Sequence, residues 1–133
     1  TSAEVKQAAE SLIGSVDVFY IITDNTVVSA LESVIIVSEE QQIPLFVGEL
    51  DSVKRGGFAA FGFSYYDIGY EAGEKAVEIL TEGKNPSEVP ATFPQKLVLE
   101  INEDAASNMG IELTDELKER ATNIVQTEEQ QDE

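Results

Sequence analysis

Three short polar stretches carry the side chains able to do chemistry: Thr23-Asp24-Asn25, then Glu49 with Asp51, and then Ser64-Tyr65-Tyr66. Each directly follows an apolar, β-branched or aromatic run, "VDVFYII" (16–22), "IPLFVG" (43–48) and "FAAFGFS" (58–64). A carboxylate can pair with an ammonium group, amides and hydroxyls can fix a polar ligand, and tyrosine rings can cover the apolar part of an amphipathic one. Each residue also has an ordinary explanation. Asp24 or Asn25 suits the cap of a following helix, and Tyr65 and Tyr66 suit half-buried positions at a helix start. One residue suffices for a cap, however. Three polar groups at one strand end, with more at the next two, favour a ligand site.

Other chemistries are excluded by composition. The 133 residues contain no histidine and no cysteine, so thiol chemistry, Ser-His and Cys-His pairs, and zinc sites of the usual kind are ruled out. No metal site and no cofactor is expected, and neither G-x-x-x-x-G-K-[ST] nor G-x-G-x-x-G occurs. With 26 acidic against 8 basic residues and a formal charge of -18, the chain has no basic stripe to follow a phosphate backbone, which argues against nucleic acid as a partner. Lys54-Arg55 is an adjacent basic pair, read as solvated or as a contact for a ligand carboxylate or a partner's acidic patch, and Gly56-Gly57 after it as a tight turn. A carboxylate-only hydrolase using Asp24 and Glu49 is the catalytic alternative. Nothing in the sequence positions a scissile bond for it.

The elements that would position these residues alternate. Val5, Ala8, Ala9, Leu12 and Ile13 follow helical spacing and stop at Gly14. "VDVFYII" suits a buried parallel strand, and Val27, Val28, Leu31, Val34 and Ile35 form one helical stripe ending near "EEQQ". After the strand "IPLFVG" comes a short helical turn or loop, "ELDSVKRGG", and then "FAAFGFS". The order predicts an α/β domain with a parallel sheet. "YYDIGYEAGEKAVEILTEG" is a helix with Gly69 and Gly73 four apart, a spacing that permits close approach to a neighbour. A proline-rich connector, the strand "KLVLEIN" (96–102) and a short helix stopping at Gly110 follow. Thr114 opens a last helix carrying Leu117, Ala121, Ile124 and Val125, and "QTEEQQDE" reads as a disordered tail.

Taken together, "TDNTVVSALE", "IPLFVG" followed by "DSVKRGG", and "SYYDIGYEAGEKAVEIL" followed by "NPSEVP" resemble the later part of ABC-transporter substrate-binding proteins of the tryptophan/tyrosine type. The resemblance runs over roughly residues 3 to 113 and extends through "LVLEINEDAASNMGIEL". It implies one parallel-sheet lobe of a type I periplasmic-binding fold, in which two α/β lobes enclose a ligand. That lobe is incomplete here, the first lobe and the first strands of the second preceding Thr1 in a full-length relative. Residues 1–113 would be the C-terminal part of such a protein. Within them, 1–63 and 95–102 would belong to the second lobe, and the helix 65–85 to the other lobe after a crossing at 64–65. Residues 114–133 would be a C-terminal helix and acidic tail, a departure from the pattern.

Carried over by position, Thr23, Asp24, Asn25, Glu49, Asp51, Ser64, Tyr65 and Tyr66 are the implied ligand-binding residues. Glu49 stands where a small polar residue or Asp is expected. The implied activity is non-catalytic capture of a small amino-acid-like solute, aromatic ones included, for an ABC permease. The implied location is extracytoplasmic, periplasmic or as a membrane-anchored lipoprotein, although the sequence itself shows no export signal. A ligand-sensing domain of a regulator or receptor with the same fold is the alternative. If strands precede Thr1, an exposed sheet edge and self-association are further expectations.

Overall fold

The computed structural model describes residues 1–128, which divide into two compact units: Thr1–Gly62 with the residues from Val98 on, and Phe63–Leu97. The first unit begins with α1 (Ser2–Ser11), which ends short of Gly14, a glycine in the left-handed region at φ 76°. Next come β1 (Phe19–Ile21), α2 (Asn25–Val28), α3 (Leu31–Gln41), β2 (Leu45–Val47), α4 (Leu50–Lys54) and β3 (Ala59–Gly62). The second unit holds α5 (Tyr65–Leu80) and a 3₁₀ turn at Pro86–Glu88. The chain returns to the first unit as β4 (Val98–Asn102), α6 (Glu103–Asn108), α7 (Asp115–Arg120) and β5 (Asn123–Val125).

The five strands lie in the order β1-β2-β3-β4-β5. Pairs β1·β2, β2·β3 and β4·β5 are parallel, as the helical crossovers require, but β3·β4 is antiparallel. The parallel sheet expected is therefore found as a mostly parallel one, with β4 the strand that reverses. The reason lies in the register, in which Gly62 pairs with Val98. The chain rejoins the sheet at the end from which it left, so β4 must run back along β3.

A correction concerns the last helix. It stops at Arg120, and Ile124 and Val125 instead form β5 beside β4, with Ile101 opposite Ile124. Thr122 directs the change: its N–H donates to Leu99 O (2.8 Å) and its hydroxyl accepts from Leu99 N–H (3.2 Å). β-branched Thr122, Ile124 and Val125 suit a strand better than a helix. Residues 126–128, expected to be disordered, are hydrogen-bonded: Gln126 to Glu103, Thr127 N–H to Asp104, and Glu128 N–H to Lys54 O. The rest of that expected tail lies outside the described residues.

Leu31, Val34, Ile35 and Val37 of α3 are buried with Leu45, Val47, Val53, Phe58, Ile101, Ala105, Ala106 and Met109 in one core. Burial alternates along β1 and β2, so β1 is not the fully buried strand expected. Tyr20 and Phe61 are about two-thirds exposed, at 67% and 68%, and with Phe46 they line an open apolar depression. Helices α1 and α3 pack together on the buried side. The opposite positions of the strands lack such a cover among the described residues.

The single stripe expected from Val27 to Ile35 is broken into α2 and α3 at Ser29-Ala30. Ser29 Oγ donates to Thr26 O (2.8 Å), and the carbonyl of Val28 is taken by Arg55 Nη2 (3.0 Å). Both divert backbone acceptors of the turn to side-chain donors. In the second unit, α5 is capped by Ser64 and closed by Thr81, before Gly83. A Cβ at Gly69 or Gly73 would meet nothing within 4 Å. The close approach expected there is not made by the described residues. No helix among the described residues is long and apolar enough to cross a membrane.

Candidate functional site

Parallel pairing of β1 with β2, with Ile21 opposite Val47, brings two polar strand ends side by side. Thr23, Asp24 and Asn25 follow the first, and Glu49 and Asp51 follow the second. In open α/β sheets this carboxyl end is where ligands bind. Gly48 lets the two ends approach. A Cβ at this position would lie 3.2 Å from Thr23 N, 3.3 Å from Ile21 O and 3.3 Å from Thr23 Oγ1. The end of β3 is close as well, since a Cβ on Gly62 would lie 3.5 Å from Gly48 O.

Asp24 caps α2. Its Oδ1 accepts from the N–H groups of Thr26 (2.9 Å) and Val27 (3.0 Å), from an extended backbone at φ -134°. Both cap bonds fall on one oxygen, and Oδ2 takes part in neither. The residue is exposed. The cap reading therefore holds, and it leaves one carboxylate oxygen for a second partner. Thr23 and Asn25 are exposed beside it. Glu49 stands at the N-cap of α4 without a side-chain cap bond, and Asp51 is exposed in that helix's first turn.

In the unit Phe63–Leu97, Ser64 caps α5 by accepting from Asp67 N–H at 3.5 Å. Tyr65 packs edge-on against Phe63, with ring centroids 5.6 Å apart, and Tyr66 is 78% exposed. The eight residues singled out from the sequence thus fall into two groups. Five are gathered at neighbouring strand ends of the first unit, and three open the helix of the second.

Sequence reasoning missed two residues. Gly48 had a readable signal, a glycine between a strand and the polar pair Glu49/Asp51. Arg55 had none: its role depends on residues more than twenty positions earlier. It is half-buried and donates to Glu32 and to the Val28 carbonyl, so the reading of Lys54-Arg55 as a solvated or ligand-directed pair does not hold for Arg55. Lys54 lies 3.7 Å from Glu128.

The chain is similar to a curated "Tyrosine-binding protein" of Clostridioides difficile, being 44% identical over 104 residues, which is 78% of this chain and 30% of that protein. Among solved structures, a conserved domain protein from Vibrio cholerae superposes with a TM-score of 0.82 at 35% identity, over 93% of this chain and 42% of its own. A ligand-free, open substrate binding protein with adhesive properties from Clostridium difficile gives a TM-score of 0.76 at 34% identity, over 96% of this chain and 42% of its own. The ABC domain in complex with L-Trp from Streptococcus pneumonia shares the fold, with a TM-score of 0.80 at 22% identity over 94% of this chain and 43% of its own. The chain thus spans less than half the length of each of these proteins. The family model described as ABC transporter substrate binding protein matches residues 1–125, and on that match the chain belongs to this family.

Proposed function

We propose that the chain supplies part of one wall of a cleft that captures an amino-acid-like solute for an ABC importer. One observation carries this reading: the adjacent ends of β1 and β2 gather Thr23, Asp24 and Asn25 beside Glu49 and Asp51, with an Asp24 oxygen left over from capping. That array of acceptors suits an ammonium group. The name of the C. difficile relative adds tyrosine as the solute to try first. In this reading Asp24 pairs with the amino group, and Thr23 and Asn25 bind polar atoms. Capture involves no catalysis. Closure of two lobes excludes water, strengthens these contacts and is what the permease senses.

The lobe assignment belongs to the same proposal. Residues 1–63 and 95–102 act in the second lobe and the helix 65–85 in the other, a division supported by the unit boundaries at Gly62 and Val98. Such a protein works outside the cytoplasm, free in the periplasm or held by a lipid anchor. Calorimetry of the full-length protein with L-tyrosine and L-tryptophan is expected to show stoichiometric binding at about micromolar affinity or better. Absence of heat with every amino acid would sink the proposal. The 133-residue chain by itself is expected to bind weakly or not at all, because one wall cannot exclude water. Micromolar binding by the isolated chain would put the whole pocket inside it.

Self-association of the isolated chain is expected for a related reason. β1 is the outer strand of the sheet and pairs only with β2 among the described residues. An unpaired strand edge is a template for another chain, and the exposed rings of Tyr20 and Phe61 add apolar surface beside it. Light scattering should show dimers or larger species across the micromolar range. A monodisperse monomer throughout would contradict an available edge.

A further inference from the structure

The "KRGG" stretch (54–57) has a role that its sequence did not disclose. Arg55 is the C-terminal cap residue of α4, and the two glycines after it fix how the chain leaves that helix. Gly56 has φ +124°, and a Cβ on Gly57 would lie 2.8 Å from Val47 Cγ2 and 3.0 Å from Ser52 O. Neither position accepts a side chain without strain or displacement. The two glycines allow the tight turn that leaves Arg55 facing α2 and α3.

There the guanidinium makes three bonds. Nε and Nη2 donate to Glu32 Oε1 at 2.9 and 2.7 Å, and Nη2 also donates to the carbonyl of Val28 at 3.0 Å. Glu32 lies in the first turn of α3, and Val28 is the last residue of α2. Helix α2 has four residues, too few to hold a helical turn unaided. It is fastened at its start by Asp24 and at its end by Arg55. Arg55 closes the helix that opens after Glu49, so one side chain ties the segment following β1 to the segment following β2. An exposed ion pair would contribute little. The carbonyl bond is different, because it holds backbone that a continuous helix would otherwise have held.

We propose that Arg55 is a positioning residue of the ligand site, holding the Thr23–Asn25 turn in fixed relation to Glu49 and Asp51. Its ligand consequence rests on the solute-binding reading above, whereas its structural consequence does not. Two measurements separate them. In the 133-residue chain, Arg55→Ala should speed amide exchange at Val28, Ser29 and Ala30, the hydrogen-bonded amides of the α2 turn, by about tenfold or more. The amides of Phe58 and Asn102, bonded within the sheet, should keep their rates. Arg55→Lys, whose single ammonium cannot span both acceptors, should fall between. Glu32→Gln retains an acceptor oxygen and should stay near wild type.

In the full-length protein, Arg55→Ala should weaken L-tyrosine binding by about tenfold at a nearly unchanged melting temperature. Unaltered exchange at the three α2 amides, in either Arg55 variant, would overturn the positioning role. Equal acceleration at Phe58 and Asn102 would also overturn it, by showing a general stabilising role. If the wild-type protein binds no amino acid, the solute reading falls and the exchange result alone decides the role of Arg55.

Discussion

Asp24→Asn in the full-length protein should weaken amino-acid binding by about 2 kcal/mol or more, roughly thirtyfold in Kd, while the melting temperature barely moves. Asn caps a helix about as well as Asp, and its Oδ1 can accept from Thr26 and Val27 as the carboxylate does. The substitution therefore spares the cap. It removes the charge that a desolvated ligand ammonium would face across the cleft. Calorimetry and a thermal melt of the same samples measure both quantities. Unaltered affinity would leave Asp24 as a helix cap and nothing more.

The largest loss of stability is expected at Asn102. Its side chain is fully buried, and Nδ2 donates to Val53 O (2.7 Å) and to Thr127 Oγ1 (3.0 Å). Its Oδ1 accepts from Ala105 N–H (3.0 Å), capping α6. One amide therefore joins the end of α4, the start of α6 and the segment after β5. Asn102→Ala leaves the Ala105 N–H buried without its cap, at roughly 1–3 kcal/mol, removes one of two bonds at the Val53 carbonyl, which keeps Gly56 N–H, and opens a space in a fully buried position. A destabilisation of about 3 kcal/mol is expected, seen as a lower urea midpoint at unchanged slope. A change below about 0.5 kcal/mol, the size of an ordinary surface substitution, would mean that the three segments are held together by other contacts.

Much of this architecture was legible in the residues because local rules and the fold agree. The apolar runs at 16–22, 43–48 and 58–64 became β1, β2 and β3, Gly14 and Gly110 took the left-handed conformation that ends a helix, and Asp24 capped the helix after β1. Adjacency of the Thr23–Asn25 and Glu49–Asp51 ends followed from parallel neighbours joined by helices. What was not legible depends on distant partners. The direction of β4 is set by where the chain re-enters the sheet, at Val98 opposite Gly62, and no local pattern encodes that.

The fate of the C-terminal segment shows the same limit. Leu117, Ala121 and Ile124 have helical spacing, yet the edge of β4 offers Thr122 and Ile124 a ladder that outweighs it. The break between α2 and α3 depends on Arg55, 27 positions downstream of Val28. Ser64, Tyr65 and Tyr66 were identified by type and place, and within their own unit Ser64 caps α5 and Tyr65 packs edge-on against Phe63.

A crystal structure of the full-length protein grown with L-tyrosine tests the central claim most directly. The expected result is one amino acid bound in a cleft of the full-length protein, its ammonium within ion-pair distance of Asp24. A ligand bound elsewhere, touching neither the Thr23–Asn25 turn nor Glu49 and Asp51, would contradict the site assigned to this chain.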